Sequence, residues 1–133
     1  MKLKIYIALQ LLAFLSCSNG SPDKDYEKLI IGKWQLDSIY SENGEKLNLD
    51  VFFPYMEFNS RGELTYFGIE DHRKVYNYSI RNSIIYYDSL VTQTDSIITL
   101  NNNKMVLLQK INAKNPDGSK FFQADTYYYT RKK

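Results

Sequence analysis

The chain has 133 residues, with 17 Lys and Arg against 15 Asp and Glu, one histidine and one cysteine. That balance provides no basic surface of the kind nucleic acid needs, and a lone cysteine excludes an intramolecular disulfide. Twelve Tyr and seven Phe beside only six Gly and three Pro favour strands, because flat and branched side chains pack well on a half-buried pleat.

Residues 1–16, MKLKIYIALQLLAFLS, place Lys2 and Lys4 ahead of an apolar run from Ile5 to Leu15 that only Gln10 interrupts. This is the layout of a secretory signal. The run of eleven falls short of the about 20 residues needed to cross roughly 30 Å of hydrocarbon. The stretch Phe14-Leu15-Ser16-Cys17 resembles a bacterial lipoprotein lipobox, with Phe14 where an aliphatic residue is more usual. The resemblance implies that residues 1–16 are removed and that Cys17 is acylated and becomes the new N-terminus. An ordinary signal cleaved a few residues later is the alternative. Two or more acyl chains anchor stably, so the expected location is the bacterial cell envelope, on the periplasmic or surface face of the outer membrane. Removing residues 1–16 leaves 117, enough for one domain, and losing Lys2 and Lys4 leaves fifteen charges of each sign. Residues 17–24 are small and polar after the cysteine and read as a tether.

The domain proper is expected over residues 25–133. Tyr26, Leu29 and Ile30 share one helical face, so a short helix is predicted from Asp25 to Ile31, with Asp23 or Asp25 as cap and Gly32 as its end. From there short alternating runs and turn chemistry recur about every ten residues, the spacing of a sandwich or barrel. The first strand runs from Lys33 to Ser41, and Asn43-Gly44 suits a tight primed turn. Leu47 to Asn59 reads as a second strand interrupted at Pro54. Further strands are predicted at Leu64 to Ile69, Val75 to Ile80, Ile84 to Val91, Asp95 to Leu100, Met105 to Ile111 and Phe121 to Arg131. Glu70 to Lys74 reads as a charged loop, and Asn101-Asn102-Asn103 as a turn, since Asn tolerates left-handed backbone. Eight strands with short links predict an all-β, eight-stranded antiparallel up-and-down β-barrel behind a short N-terminal helix, closed so that no edge is left bare.

Three features of this pattern carry a family resemblance: the short helix before the first strand, Gly32-Lys33-Trp34 as a Gly-x-Trp motif, and Arg131 ending the last strand. Together they resemble the lipocalin-like (calycin) domains, here of the small bacterial lipoprotein kind, over roughly residues 25 to 131. The mid-chain Thr-Asp-Tyr motif of the secreted transport lipocalins is missing. The resemblance implies that Gly32, Trp34 and Arg131 close one end of the barrel, with the guanidinium across the indole. Physical chemistry agrees, because Trp buries about 150–250 Å² and a stacked arginine adds about 0.5–2 kcal/mol. Trp34 is therefore read first as a plug and only second as a ligand contact.

With one end plugged, a site belongs in the upper lumen. Inward parity selects Leu36, Tyr40, Met56, Phe58, Tyr66, Tyr76, Tyr78, Tyr86, Leu107 and Tyr127, against the competing reading that each merely fills core. Adjacent tyrosines at Tyr86-Tyr87 and Tyr127 to Tyr129 leave the phase of those strands open. The implied function is binding of a small hydrophobic or amphipathic ligand by a monomer that meets the membrane only through its lipid. The alternative is an envelope interaction or inhibitor module with a filled barrel, whose loops hold a protein or glycan. Catalysis is not expected: His72, the one histidine, lies in the charged loop, so neither a nucleophile–base pair nor a zinc site can be assembled. No cofactor is expected. Asp95, Asn101 to Asn103 and Asp117 offer oxygen ligands, but turn chemistry accounts for them, and no metal is assigned. Glu57 is placed outward by alternation.

Overall fold

The computed structural model describes residues 20–49 and 53–133. Cys17, its lipidation and the signal of residues 1–16 lie outside them. Helix α1 (Pro22–Leu29) starts with proline inside its first turn and Asp23 and Asp25 near its positive end, an arrangement that suits the helix dipole. It begins three residues before the predicted start and ends before Ile30, whose amide donates back to Tyr26. Eight strands follow: β1 (Gly32–Tyr40), β2 (Tyr55–Phe58), β3 (Glu63–Phe67), β4 (Arg73–Arg81), β5 (Ile84–Tyr87), β6 (Gln93–Leu100), β7 (Lys104–Lys114) and β8 (Lys120–Arg131). Each pairs antiparallel with the next and β8 returns to β1, so the sheet closes in simple up-and-down order.

The expected fold is the observed one, with a shorter second strand. Leu47 to Leu49 alternate as a strand would, yet they pair only through an isolated Tyr40–Lys46 bridge beside them. The Ser41 amide donates to the Glu45 carbonyl and the Leu47 amide to the Ile39 carbonyl, so residues 45–47 fold back on β1 as a loop. At the other end of the segment, β2 begins only after Pro54, which has no amide to give to a ladder. The charged loop is also shorter than predicted, because Arg73 and Lys74 pair with Phe67 and Tyr66.

Two irregularities decide which side chains face inward. In β1 the register with β8 slips between Leu36 and Ser38. Trp34 and Leu36 point in before the slip, and Ile39 rather than Tyr40 points in after it. A second slip, between Ile97 and Thr99 in β6, turns Leu100 into the core. Such bulges add one residue to one strand and reverse its alternation beyond that point.

The barrel has two unlike ends. The turns at Asn59–Gly62, Asn82–Ser83 and Asn101–Asn103 share one end with α1 and with Arg131. Here Asp23 accepts from the Asn82 and Ser83 amides at 2.8 Å each, fastening α1 to the turn between β4 and β5. The core beneath is apolar, with Ile30, Trp34, Met56, Phe58, Leu64, Ile85, Met105 and Leu107 all essentially inaccessible. The loops after β1, β3, β5 and β7 ring the other end, which is open.

Candidate functional site

The closed end is built around Trp34. Its ring is completely buried and its Nε1 donates to the Ile30 carbonyl at 2.8 Å. The Arg131 guanidinium stacks 4.2 Å from the indole centroid, and its nitrogens donate to the carbonyls of Leu29, Ile31 and Asn102. One side chain thus satisfies carbonyls left over from the end of α1 and from the β6–β7 turn. Gly32 carries a φ of +131°, and a Cβ there would collide with the Arg131 guanidinium. The Gly-x-Trp triplet therefore belongs to one device: glycine makes room for the guanidinium, and the guanidinium covers the ring.

The open half holds a cavity of about 290 Å³. Leu36, Phe53 and Leu90 give it apolar walls, Tyr66, Tyr76, Tyr127 and Tyr129 give it aromatic walls, and Gln93 and Gln109 give it amides, with Lys74 also on its lining. The Lys74 ammonium stands 5.2 Å from the Phe53 ring centroid. Tyr66 and Tyr76 meet edge to face at 5.9 Å, and Tyr127 stacks on Tyr129 at 6.3 Å, geometries that aromatic quadrupoles favour.

Of the residues selected from parity, Leu36, Tyr66, Tyr76 and Tyr127 line this cavity. Met56, Phe58 and Leu107 point inward but lie in the packed core below it. Tyr78 packs edge-on against Phe58 near the closed end, and its hydroxyl donates to the Asn59 carbonyl. Tyr40 and Tyr86 are corrections. The bulge in β1 turns Tyr40 outward, where it meets Tyr128 edge-on at 5.5 Å. In β5 it is Tyr87 that is buried, while Tyr86 lies outside under the Arg81 guanidinium. Glu57 is exposed, as alternation required.

Asp95 corrects a further expectation. Placed at the start of a strand from the sequence, but with its carboxylate put down to turn chemistry, it lies inside β6, 2% exposed, paired with Ile85 on one side and Gln109 on the other. The Tyr87 hydroxyl donates to its Oδ2, and its Oδ1 is buried with no hydrogen-bond partner among the described residues. Burial pushes the carboxyl up to about 6, although Tyr87, Gln109 and Gln93 pull in the opposite direction. Asp125, 6% exposed, is the other buried acid, and Gln123 donates to it. Burial raises the hydroxyls of Tyr66, Tyr87 and Tyr129, and the Asp95 charge reinforces each shift. Tyr127 is pushed up to about 12 by burial and by Asp125. Two carboxyls among neutral phenols and amides can accept hydrogen bonds and oppose an anion. Among the described residues no three His, Cys, Asp or Glu converge to hold a metal, and no helix is long and apolar enough to cross a membrane.

Comparison with known proteins agrees with this architecture. Residues 30–107 match the family model of the lipocalin-like domain. No curated protein matches the chain in sequence. Among solved structures, the bovine lipocalin allergen Bos d 2 superposes with a TM-score of 0.53 at 16% identity, over 80% of this chain and 75% of its own. Bovine odorant-binding protein, solved in complex with a selenium-containing odorant, gives 0.52 at 14% identity, over 80% and 73%. The same protein with its natural ligand gives 0.50 at 14%, over 78% and 72%. At these identities the likeness is one of fold.

Proposed function

The chain belongs to the lipocalin-like domain family, and on that premise we propose that it is a non-catalytic carrier of one small hydrophobic or amphipathic molecule in the open half of its barrel. The cavity carries this reading. Its volume, about 290 Å³, stands at the lower edge of the roughly 300–1,000 Å³ of small-molecule sites. Its walls are apolar and aromatic with a few polar groups, the composition such sites share. Odorant-binding protein, a neighbour in fold, holds a small odorant. A monomer anchored at the bacterial cell envelope through acylated Cys17 completes the proposal, supported by the charged start, the short apolar run and the lipobox-like Phe14 to Cys17.

Purifying the full chain from its host and subjecting it to native mass spectrometry tests the carrier role. A bound small molecule, released by organic extraction, is expected. A chain that carries nothing and ignores alkyl acids, alcohols, amines and isoprenoids would refute it. For the anchor, metabolic labelling with palmitate should mark the chain, and Cys17→Ser should move it out of the membrane fraction. The alternative, an interaction module, is favoured by Phe121 and Phe122, which are 41% and 53% exposed on β8. A barrel with an unfilled upper lumen weighs against it.

A further inference from the structure

Asp95 and Asp125 are the buried acids of the described barrel. The register sets them on either side of Gln109, in one rung across β6, β7 and β8. Gln109 lines the cavity, as do Gln93, the next inward residue from Asp95, and Tyr127, the next from Asp125. The middle of the polar rung is thus on the cavity wall, and the two acids lie in register on either side of it, each next in its strand to a lining residue. Asp95 Oδ1, a buried carboxylate oxygen that no hydrogen bond of good geometry from the described residues reaches, carries a desolvation penalty that the neighbouring Gln93 and Gln109 amides offset only in part. A lumen meant only to be filled would place leucine there without that loss.

The surroundings select the chemistry that could meet this oxygen. An anionic head would face two carboxyls, and a neutral alkane would leave Oδ1 unsatisfied. An ammonium supplies both charge and donors, and the faces of Tyr66 and Tyr76 attract cations through their quadrupoles. The lining holds one basic residue, Lys74, and its side chain is exposed.

Building on the carrier reading, we propose that the β6–β8 wall receives the ammonium group of a small apolar amine, with Asp95 as its principal partner and Asp125 as a second, flanking charge. Around Asp95 stand Tyr87 from β5, whose hydroxyl it accepts, and Gln109 from β7 with Asp125 beyond it on β8; the adjoining cavity wall adds Gln93 from its own strand, Tyr66 from β3, Lys74 and Tyr76 from β4, and Tyr127 and Tyr129 from β8. The inward residues of β1 and β2 are Trp34, Leu36, Ile39, Met56 and Phe58, all uncharged. Because the Asp95 carboxyl titrates at about 6, amine affinity rises as the pH climbs through that value and the carboxylate forms.

Octylammonium, octanol and octanoate, equal in chain length and different in head, are the probes for calorimetric titration of the purified full chain. Octylammonium is expected to bind about tenfold or more tightly than octanol, the equivalent of one charge-assisted contact, with octanoate weakest. Asp95→Asn should lower octylammonium affinity by about tenfold more than it lowers octanol affinity, and Asp125→Asn should remove a smaller part of the difference. Equal affinity for all three probes, or an amine loss in Asp95→Asn no greater than its octanol loss, overturns the ammonium site while the carrier reading stands. Failure of all three to bind a barrel folded by circular dichroism overturns both. Should Asp95→Asn not fold, the pH profile of the native chain decides: a flat amine affinity across pH 6 overturns the site.

Discussion

The two ends of one barrel follow opposite rules. At the closed end every strong polar group about Trp34 has a partner: the indole nitrogen bonds Ile30, and the Arg131 guanidinium bonds three carbonyls. At the open end a carboxylate lies 2% exposed with one oxygen bare, among tyrosines and glutamines around an unfilled space. The same alternating strands build both, so the contrast comes from the side chains on successive inward rungs. Ile97 and Leu107 sit on one rung, Asp95 and Gln109 on the next. Apolar packing gathers where the sheet is stoppered, and the buried acids lie on the rung nearer the open end.

The sharpest way to break this contrast is to unplug the barrel. Trp34→Ala should destabilise the chain by about 3–5 kcal/mol, the range for deleting a buried aromatic, a large share of the roughly 5–15 kcal/mol of a typical domain. Urea unfolding followed by circular dichroism measures it. Next in size is the proton on Asp95. Its carboxyl titrates at about 6 in the barrel against 3.8 ordinarily, so the folded chain holds the proton more firmly than the unfolded chain does. That contribution is complete below about pH 4 and is lost as the pH rises through about 6, on the order of 3 kcal/mol in all. Denaturant midpoints across this range should fall for the native chain and stay flatter for Asp95→Asn. Half-exposed Glu63 and exposed Asp117, held low by Asn59 and Ser119 respectively, act in the opposite sense.

Arg131→Ala should follow with about 2 kcal/mol, since charge-assisted bonds to carbonyls and the stacking on Trp34 vanish together. Urea unfolding would resolve it, and Arg131→Lys should recover little, because an ammonium cannot reproduce the planar fork. Smallest is Tyr86→Phe, on the outer face. It should shift stability by no more than about 0.5 kcal/mol and leave ligand titrations unchanged, whereas Tyr66→Phe, on the cavity wall, should alter them.

Strand periodicity, turn residues and short links made the barrel and its order legible in the sequence, and the plug followed from the resemblance carried by Gly32-Lys33-Trp34 and Arg131. What stayed hidden were phases. The Asp37 bulge carries no signature: nothing in Gln35-Leu36-Asp37-Ser38-Ile39 tells that Ile39, not Tyr40, comes next on the inner face. At Tyr86-Tyr87 identical side chains stand on both faces, and the choice is made by Asp95, a residue eight positions away that accepts the Tyr87 hydroxyl. Asp95 itself resembled a turn acid because Thr92-Gln93-Thr94 precedes it. The polar inward alternation of Gln93 and Asp95 ahead of Ile97 was the available signal, and the rung linking Asp95 to Asp125 exists only once three strands are in register.

Asp23 pins α1 to the turn between β4 and β5, so the chain enters the barrel from its stoppered side. Residue 17 is only three residues ahead of residue 20, a reach of roughly 11 Å at most. The acyl anchor proposed for Cys17 would thus hold the barrel from its stoppered side and leave the mouth at the far side. Cargo would then be exchanged at that far side, and the leaflet holding the anchor would serve as mooring and not as source.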